Sequence, residues 1–202
     1  MGFGCLEAPM IRLLVAMLLL AGLGACAPPA SYSSMVPDLA GIDAGVDLAR
    51  GPAPSYRGAI TVAPVSIGND TSVPWTSPIG SAEFQEALVR TLTLANLASP
   101  QGGRFRLDAT LLRLERPFAG FAMTVTASVA YRLTDTATGA VVYQETRTSL
   151  GTASLNDAIM NANRLRIADE RAVRANIRKL IEDLYALPDR SPDRPLTSLR
   201  RT

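Results

Sequence analysis

The sequence predicts a mixed α/β (α+β) fold: a two-layer sandwich of order β-α-β-β-β-α, with a mostly antiparallel sheet and two helices on one face. Three observations lead there. Successive segments between residues 104 and 150 alternate apolar and polar side chains with a period of two, the pattern of half-buried strands. Two segments, 81–97 and 161–187, instead repeat apolar residues at helical spacing. A sheet with one apolar face and two amphipathic helices are complementary layers.

The elements follow in order. Ala59-Ile60-Thr61-Val62-Ala63-Pro64-Val65 is short, β-branched and bounded by turn residues, so it reads as a strand; Pro64 puts its end there or places it at a sheet edge. Residues 68–80 read as a loop holding Pro74, Trp75 and Pro78. Ser81 to Leu97 reads as a helix with Phe84, Leu88, Leu92 and Ala95 on one face and Ser81 as N-cap. Ser99-Pro100-Gln101-Gly102-Gly103 stops it.

Arg104 to Arg116 reads as a long strand. Phe105, Leu107, Ala109 and Leu111 hold one phase; Leu112 and Leu114 hold the other, so a bulge is expected near Leu111-Leu112. Met123 to Leu133 alternates without interruption. Thr134 to Gly139 is a hairpin turn, and Ala140 to Leu150 the returning strand. Asn161 to Leu187 closes the fold as a helix with a stripe of Leu165, Ala168, Ala172, Ile177, Leu180 and Leu184, ended by Pro188.

Composition narrows the function. The chain has 202 residues, a net charge of +2 and no histidine. A charge that small leaves no electrostatic footprint for nucleic acid. Without histidine there is no Ser-His-Asp or Cys-His group and no histidine-ligated metal. Two cysteines, Cys5 and Cys26, are too few for a zinc cluster. No phosphate-binding glycine loop or dinucleotide fingerprint is present, and no cofactor is expected. Carboxylates at Asp108, Glu115, Asp135 and Glu145 sit beside no other catalytic residue type, so the chain is expected not to be an enzyme.

The first residues give an address. Met10-Ile11-Arg12 precedes the apolar run Leu13 to Leu20, and small residues follow from Ala21. That is the layout of a secretory signal, and the run is too short to span a bilayer. A start at Met10 would give the more conventional signal. Leu23-Gly24-Ala25-Cys26 then resembles the bacterial lipobox: small residues admit the peptidase, and the thiol accepts the lipid. Cleavage before Cys26 makes it the acylated first residue and leaves the mature chain without a free thiol. Ala27, not an aspartate, follows, which in the bacterial sorting rule favours the outer membrane. The expected organisation is a signal over 1–25, an acylated cysteine and Pro/Ala-rich tether over 26–57, an α/β domain over 58–187 and a disordered tail over 188–202.

These features together resemble the small bacterial envelope lipoproteins of the YajG kind, with related architecture in the curli-secretion lipoprotein and the amino-terminal domain of TolB. Phe84-Gln85-Glu86-Ala87-Leu88, Tyr131-Arg132-Leu133-Thr134-Asp135 with Thr138-Gly139, and Arg164 to Glu170 carry the local likeness, over about residues 58–187. Auxiliary lipoproteins of envelope lipid-transport systems are similar too. The resemblance implies a periplasmic, membrane-tethered module serving an envelope protein partner. A lipid or small-ligand carrier is the alternative, and a hydrolase without histidine a third.

Four features are candidates for contact. Trp75 lies in a proline-flanked loop, either reaching a partner or folded over the sheet edge. Phe118 and Phe121 flank Gly120, either in the core or as an apolar tip for a partner or bilayer. Arg166 and Arg174 belong to a charged helix start, Arg164 to Arg178. It reads either as a solvated face laced with i, i+4 pairs (Arg166–Glu170, Glu170–Arg174) or as a docking face for acidic partners or lipid headgroups.

Overall fold

The computed structural model describes residues 30–40, 51–68, 79–116 and 121–190. Its elements are α1 (Tyr32–Met35), a 3-10 turn (Pro54–Tyr56), β1 (Ile60–Val62), β2 (Ser66–Ile67), α2 (Ser81–Leu94), β3 (Phe105–Glu115), β4 (Met123–Asp135), β5 (Val141–Ala153) and α3 (Asn161–Ala186). One sheet runs in the order β1-β3-β4-β5, and β2 also pairs with β3. β3, β4 and β5 form an antiparallel meander, while β1 and β2 lie parallel to β3. The helices cover one face of the sheet, which completes the expected two-layer α+β sandwich.

The first strand departs from expectation in an instructive way. Residues 59–65 do not form one strand; Ala63-Pro64 interrupts it, and Pro64, which lacks an N–H, points to solvent at the sheet edge. Ala63 keeps its bond to the sheet through Leu107 O at 2.9 Å. α2 begins after Gly80, which takes the N-cap position assigned to Ser81. It ends earlier than the Gly-Pro cluster, because Asn96 adopts φ +55° and Leu97 N–H turns back to Leu92 O at 2.8 Å. The bulge in β3 falls between Leu111 and Arg113, leaving Leu112 exposed as the extra residue and returning Leu114 to the core.

The core lies between the sheet and the helices. Phe84, Leu88 and Leu92 of α2, Leu107 and Leu111 of β3, Val125 and Val129 of β4, and Ile177, Leu180 and Leu184 of α3 are all fully buried. The β5 side of this layer is different. The β5 residues aligned with the buried β4 positions Tyr131, Val129, Ala127 and Val125 are Glu145, Arg147, Ser149 and Gly151. Small side chains there let α3 come down to the backbone. A Cβ on Gly151 would stand 2.2 Å from both Ala168 O and Ala172 N.

The polar groups enclosed by that approach are bonded. Ser149 Oγ donates to Ala172 O at 2.8 Å. Asn176, fully buried, accepts from the Tyr131 hydroxyl at 3.0 Å. Its amide donates to Arg147 O at 2.7 Å and to Ser149 Oγ at 3.0 Å. Two turns further on, Asp183 accepts from Arg147 Nε at 2.6 Å and Nη2 at 2.8 Å, and from the Tyr143 hydroxyl at 2.6 Å. Burial and the adjacent Asp183 carboxylate push the Tyr143 hydroxyl well above the ordinary phenol range. Lys179 Nζ and Arg171 Nη1 donate to the backbone carbonyls of Thr148 and Thr152, each at 2.6 Å. The edge strand therefore meets the helix along most of its length.

Two residues of the segment expected as a plain tether are fully buried. Met35 of α1 joins the core where α1 meets α2 and α3, and the Tyr56 ring stands 4.8 Å from that of Phe105. Residues 41–50 of the expected tether lie outside the described residues.

The helix–strand contact predicts that Gly151→Ala lowers unfolding free energy by roughly 2–4 kcal/mol, because a backbone has to move. Thr152→Ala, an exposed neighbour, changes it by less than about 1 kcal/mol. Urea unfolding monitored by circular dichroism checks both; equal effects would contradict the backbone contact.

Candidate functional site

Much of the charge in the first half of α3 is bonded within the fold, and Glu170 and Arg174 meet the chain's own lead-in segment. Arg166 Nη1 donates to Glu170 Oε1 at 2.7 Å, as the i, i+4 spacing predicts. The same carboxylate oxygen accepts the backbone N–H of Ser31 at 2.9 Å. One turn along, Arg174 does not pair with Glu170. Its guanidinium donates to Ser34 O, through Nε at 2.6 Å and through Nη2.

The geometry suits the electrostatics of a helical turn. α1 runs in the same direction as α3, from Ser31 beside Glu170 to Ser34 beside Arg174. An acid thus meets the free N–H groups at the start of α1, and a base meets its free carbonyls at the end. Met35 and Ala30, both buried, fix the segment against the core from below. Glu170 is 4 % exposed, so removing either partner leaves a charge or a polar backbone group in a poorly hydrated place.

A second pair braces the same stretch of helix. Arg116, at the end of β3, donates from Nε to Asp169 Oδ1 at 2.9 Å, and Asp169 is fully buried. Burial raises the Asp169 carboxyl to about 6; Arg116 opposes that rise and the Glu170 charge adds to it. Arg164 is also buried and donates through Nη1 to the carbonyls of Ala158 and Ile159. The far end of the lead-in is held as well. Ser55 N–H donates to Asp189 Oδ1 at 3.2 Å, and Arg190 N–H donates to Ser55 Oγ at 3.0 Å. The start of the expected tail is thus part of the fold.

The expected contact residues fare unequally. Leu23, Gly24, Ala25 and Cys26 lie outside the described residues, as do Trp75 and Phe118. Phe121 is exposed just ahead of β4. Arg166 and Arg174 are not brought together: Arg174 donates to the Ser34 carbonyl, and Arg166 pairs with Glu170, which also accepts the Ser31 N–H. The solvated-face reading also fails for Arg164, Asp169 and Glu170, all buried. Sequence reasoning missed Ser31 and Ser34 as partners, since both bond through their backbones. The usable signal was Met35, an apolar residue stranded in a Pro/Ala/Ser-rich stretch.

The opposite face of the sheet is open and polar. Thr124–Thr152 and Ser128–Thr148 hydroxyl pairs cross it at 3.0 and 3.2 Å. A shallow concavity of about 400 Å³ is lined there by Asp108, Thr110, Ala130, Arg132, Gln144 and Thr146. Its wall is of mixed polar and apolar character, and it is open to solvent rather than enclosed as an acyl-chain cavity would be. Among the described residues no three His, Cys, Asp or Glu side chains gather closely enough to hold a metal ion. No described helix is long and apolar enough to cross a membrane.

Asp169 predicts a pH dependence. Its folded-state affinity for a proton exceeds the unfolded one, so the folded chain holds more protons between about pH 4 and pH 6. Stability therefore falls as pH rises through that window and levels above it. Relative to Asp169→Asn, the wild-type chain should lose roughly 1–3 kcal/mol between about pH 4 and pH 7. Denaturant unfolding at a series of pH values checks this; parallel curves would contradict it.

No family model matches the chain, and no curated protein matches it. Solved structures do. A Xanthomonas campestris protein of family DUF330 is 17 % identical, with a TM-score of 0.51, over 68 % of this chain and 91 % of that one. A candidate lipoprotein from Caulobacter crescentus is 18 % identical, with a TM-score of 0.47, over 65 % and 91 %. PelC from Paraburkholderia phytofirmans, a dodecamer, is 21 % identical, with a TM-score of 0.45, over 67 % and 94 %. The likeness to the Xanthomonas protein shows that the two share a fold.

Proposed function

We propose that this chain is an outer-membrane lipoprotein facing the periplasm, a non-catalytic accessory or assembly subunit of an envelope complex. The observation that carries the reading is the docking of residues 30–35 on α3, a few residues after the lipobox-like Leu23-Gly24-Ala25-Cys26. An acyl chain on Cys26 would then hold the domain close to the membrane rather than on a loose thirty-residue leash. Close tethering raises the effective concentration of the module at a membrane partner.

The buried ionisable groups support a structural use. Glu170 holds the lead-in segment, Asp169 binds Arg116, and the half-buried Asp183 binds Arg147 and Tyr143. Each is bound by a cation or a backbone donor within the fold, and no substrate is needed to explain them. The resemblance to YajG-like, curli-secretion and TolB-type modules points the same way. The carrier reading is weaker, because the concavity on the open sheet face is open to solvent and does not enclose a ligand.

In-cell crosslinking and mass spectrometry of protein purified from membranes test the reading. We expect a lipid-modified Cys26 as first residue and one recurrent envelope protein among the crosslinked neighbours. An unmodified Cys26 would overturn the anchoring. Co-purifying lipid with no recurrent protein neighbour would replace the accessory role with the carrier role.

A further inference from the structure

Residues 30–35 dock on the first half of α3, and the end of the molecule where α3 starts is apolar. Phe121 precedes β4 by two residues and Leu155 follows β5 by two, and the strand ends between them, Met123 and Ala153, are paired. Ile159 and Met160 continue the same connection into α3. These four side chains are 84 %, 45 %, 87 % and 55 % exposed, an unusual concentration of bare apolar surface at one tip.

The tip is held, not loose. Asp157 accepts from Ser154 N–H at 2.8 Å and from Arg171 Nη1 at 3.0 Å, and Arg164 takes the carbonyls of Ala158 and Ile159. It is also nearly free of charge. Between Ser154 and Asn163 the one charged residue is Asp157, and Arg171 neutralises it. From Phe121 to Ser128 there is none.

Chain direction aims the lead-in segment toward this end. Ser31 sits at Glu170 and Ser34 at Arg174, so the segment read backwards advances toward the start of α3. Glu170 stands ten residues beyond Met160, about 15 Å along the helix axis. From Ser31 back to Cys26 the chain has five residue steps, at most about 17 Å. That reach spans the distance to the tip when the chain continues in the direction of residues 34–31, and the far hairpin at Thr138 stands at the opposite end of β4.

We infer that Phe121, Leu155, Ile159 and Met160 form a membrane-contact tip, which seats in the interfacial region of the bilayer that holds the Cys26 anchor. The occupant is a lipid surface. An uncharged apolar tip beside a lipid anchor needs no specific headgroup, and a second point of contact fixes the domain's orientation as well as its height. The inference rests on the proposed acylation of Cys26.

The mature acylated chain has no free cysteine, so a single label can be placed at will. Ile159→Cys and Thr138→Cys chains, each carrying an environment-sensitive fluorophore, are reconstituted into vesicles of phosphatidylethanolamine and phosphatidylglycerol. Intact mass reports acylation of Cys26 in the same samples. The expected result is a blue-shifted label at 159, quenched at least about threefold more by spin-labelled lipid than the label at 138. An acylated, vesicle-bound protein whose label at 159 stays in water overturns the tip and leaves the anchor standing. An unmodified Cys26 overturns the anchor and this inference with it. A Phe121→Cys label provides the independent second reading if the first variant does not fold.

Discussion

The contact on which the rest of this molecule depends is the approach of α3 to β5 at backbone distance. Gly151 leaves room for no Cβ beneath Ala168 and Ala172. That closeness encloses polar groups on the β5 side of the interior: Ser149 and Asn176 are buried there, and the half-buried Arg147 and Asp183 pair at its margin. Once enclosed, these groups must be bonded, because an orphaned buried donor or acceptor costs about 1–3 kcal/mol. The network thereby fixes the helix in one register along an edge strand. It also gives the open carbonyls of Thr148 and Thr152 partners that a second strand would otherwise compete for.

A helix fixed so closely on one side presents a defined surface on the other. Glu170 and Arg174 are one turn apart on that surface, and α1 is one turn long. The match between acid and helix start, and between base and helix end, converts a stretch of weakly structured composition into part of the domain. Asp169 and Arg116 brace the same turn from the sheet side. The N-terminal half of α3 thus joins three things: the end of β3, the loop after β5 and the lead-in segment over residues 30–35.

The regular parts of this fold were legible. The last helix, read as 161–187, is Asn161–Ala186, and the phase flip at Leu111-Leu112 is a bulge at that place. Both are periodic patterns, which a sequence states directly. The first strand was less so, because a proline inside seven β-branched and small residues decides between one edge strand and two fragments only through its sheet position. The charged helix start misled for a different reason. The i, i+4 rule names side-chain partners, and it found Arg166–Glu170; the partners it could not name are the Ser31 N–H and the Ser34 carbonyl, which carry no residue-type signal. Asn176 was passed over likewise, since two of its acceptors are backbone carbonyls of β4 and β5.

The central claim is that residues 30–35 belong to the folded domain because Glu170 and Arg174 hold them. Amide hydrogen exchange over this segment tests it most directly, in the mature chain and in a Glu170→Ala, Arg174→Ala double variant. The account predicts that the Ser31 and Ser34 amides are slowed at least about tenfold in the wild-type chain. In the variant they should exchange freely while the Val129 amide of β4 keeps its protection. Free exchange of residues 30–35 in the wild-type chain, or protection that survives the double substitution, would contradict it.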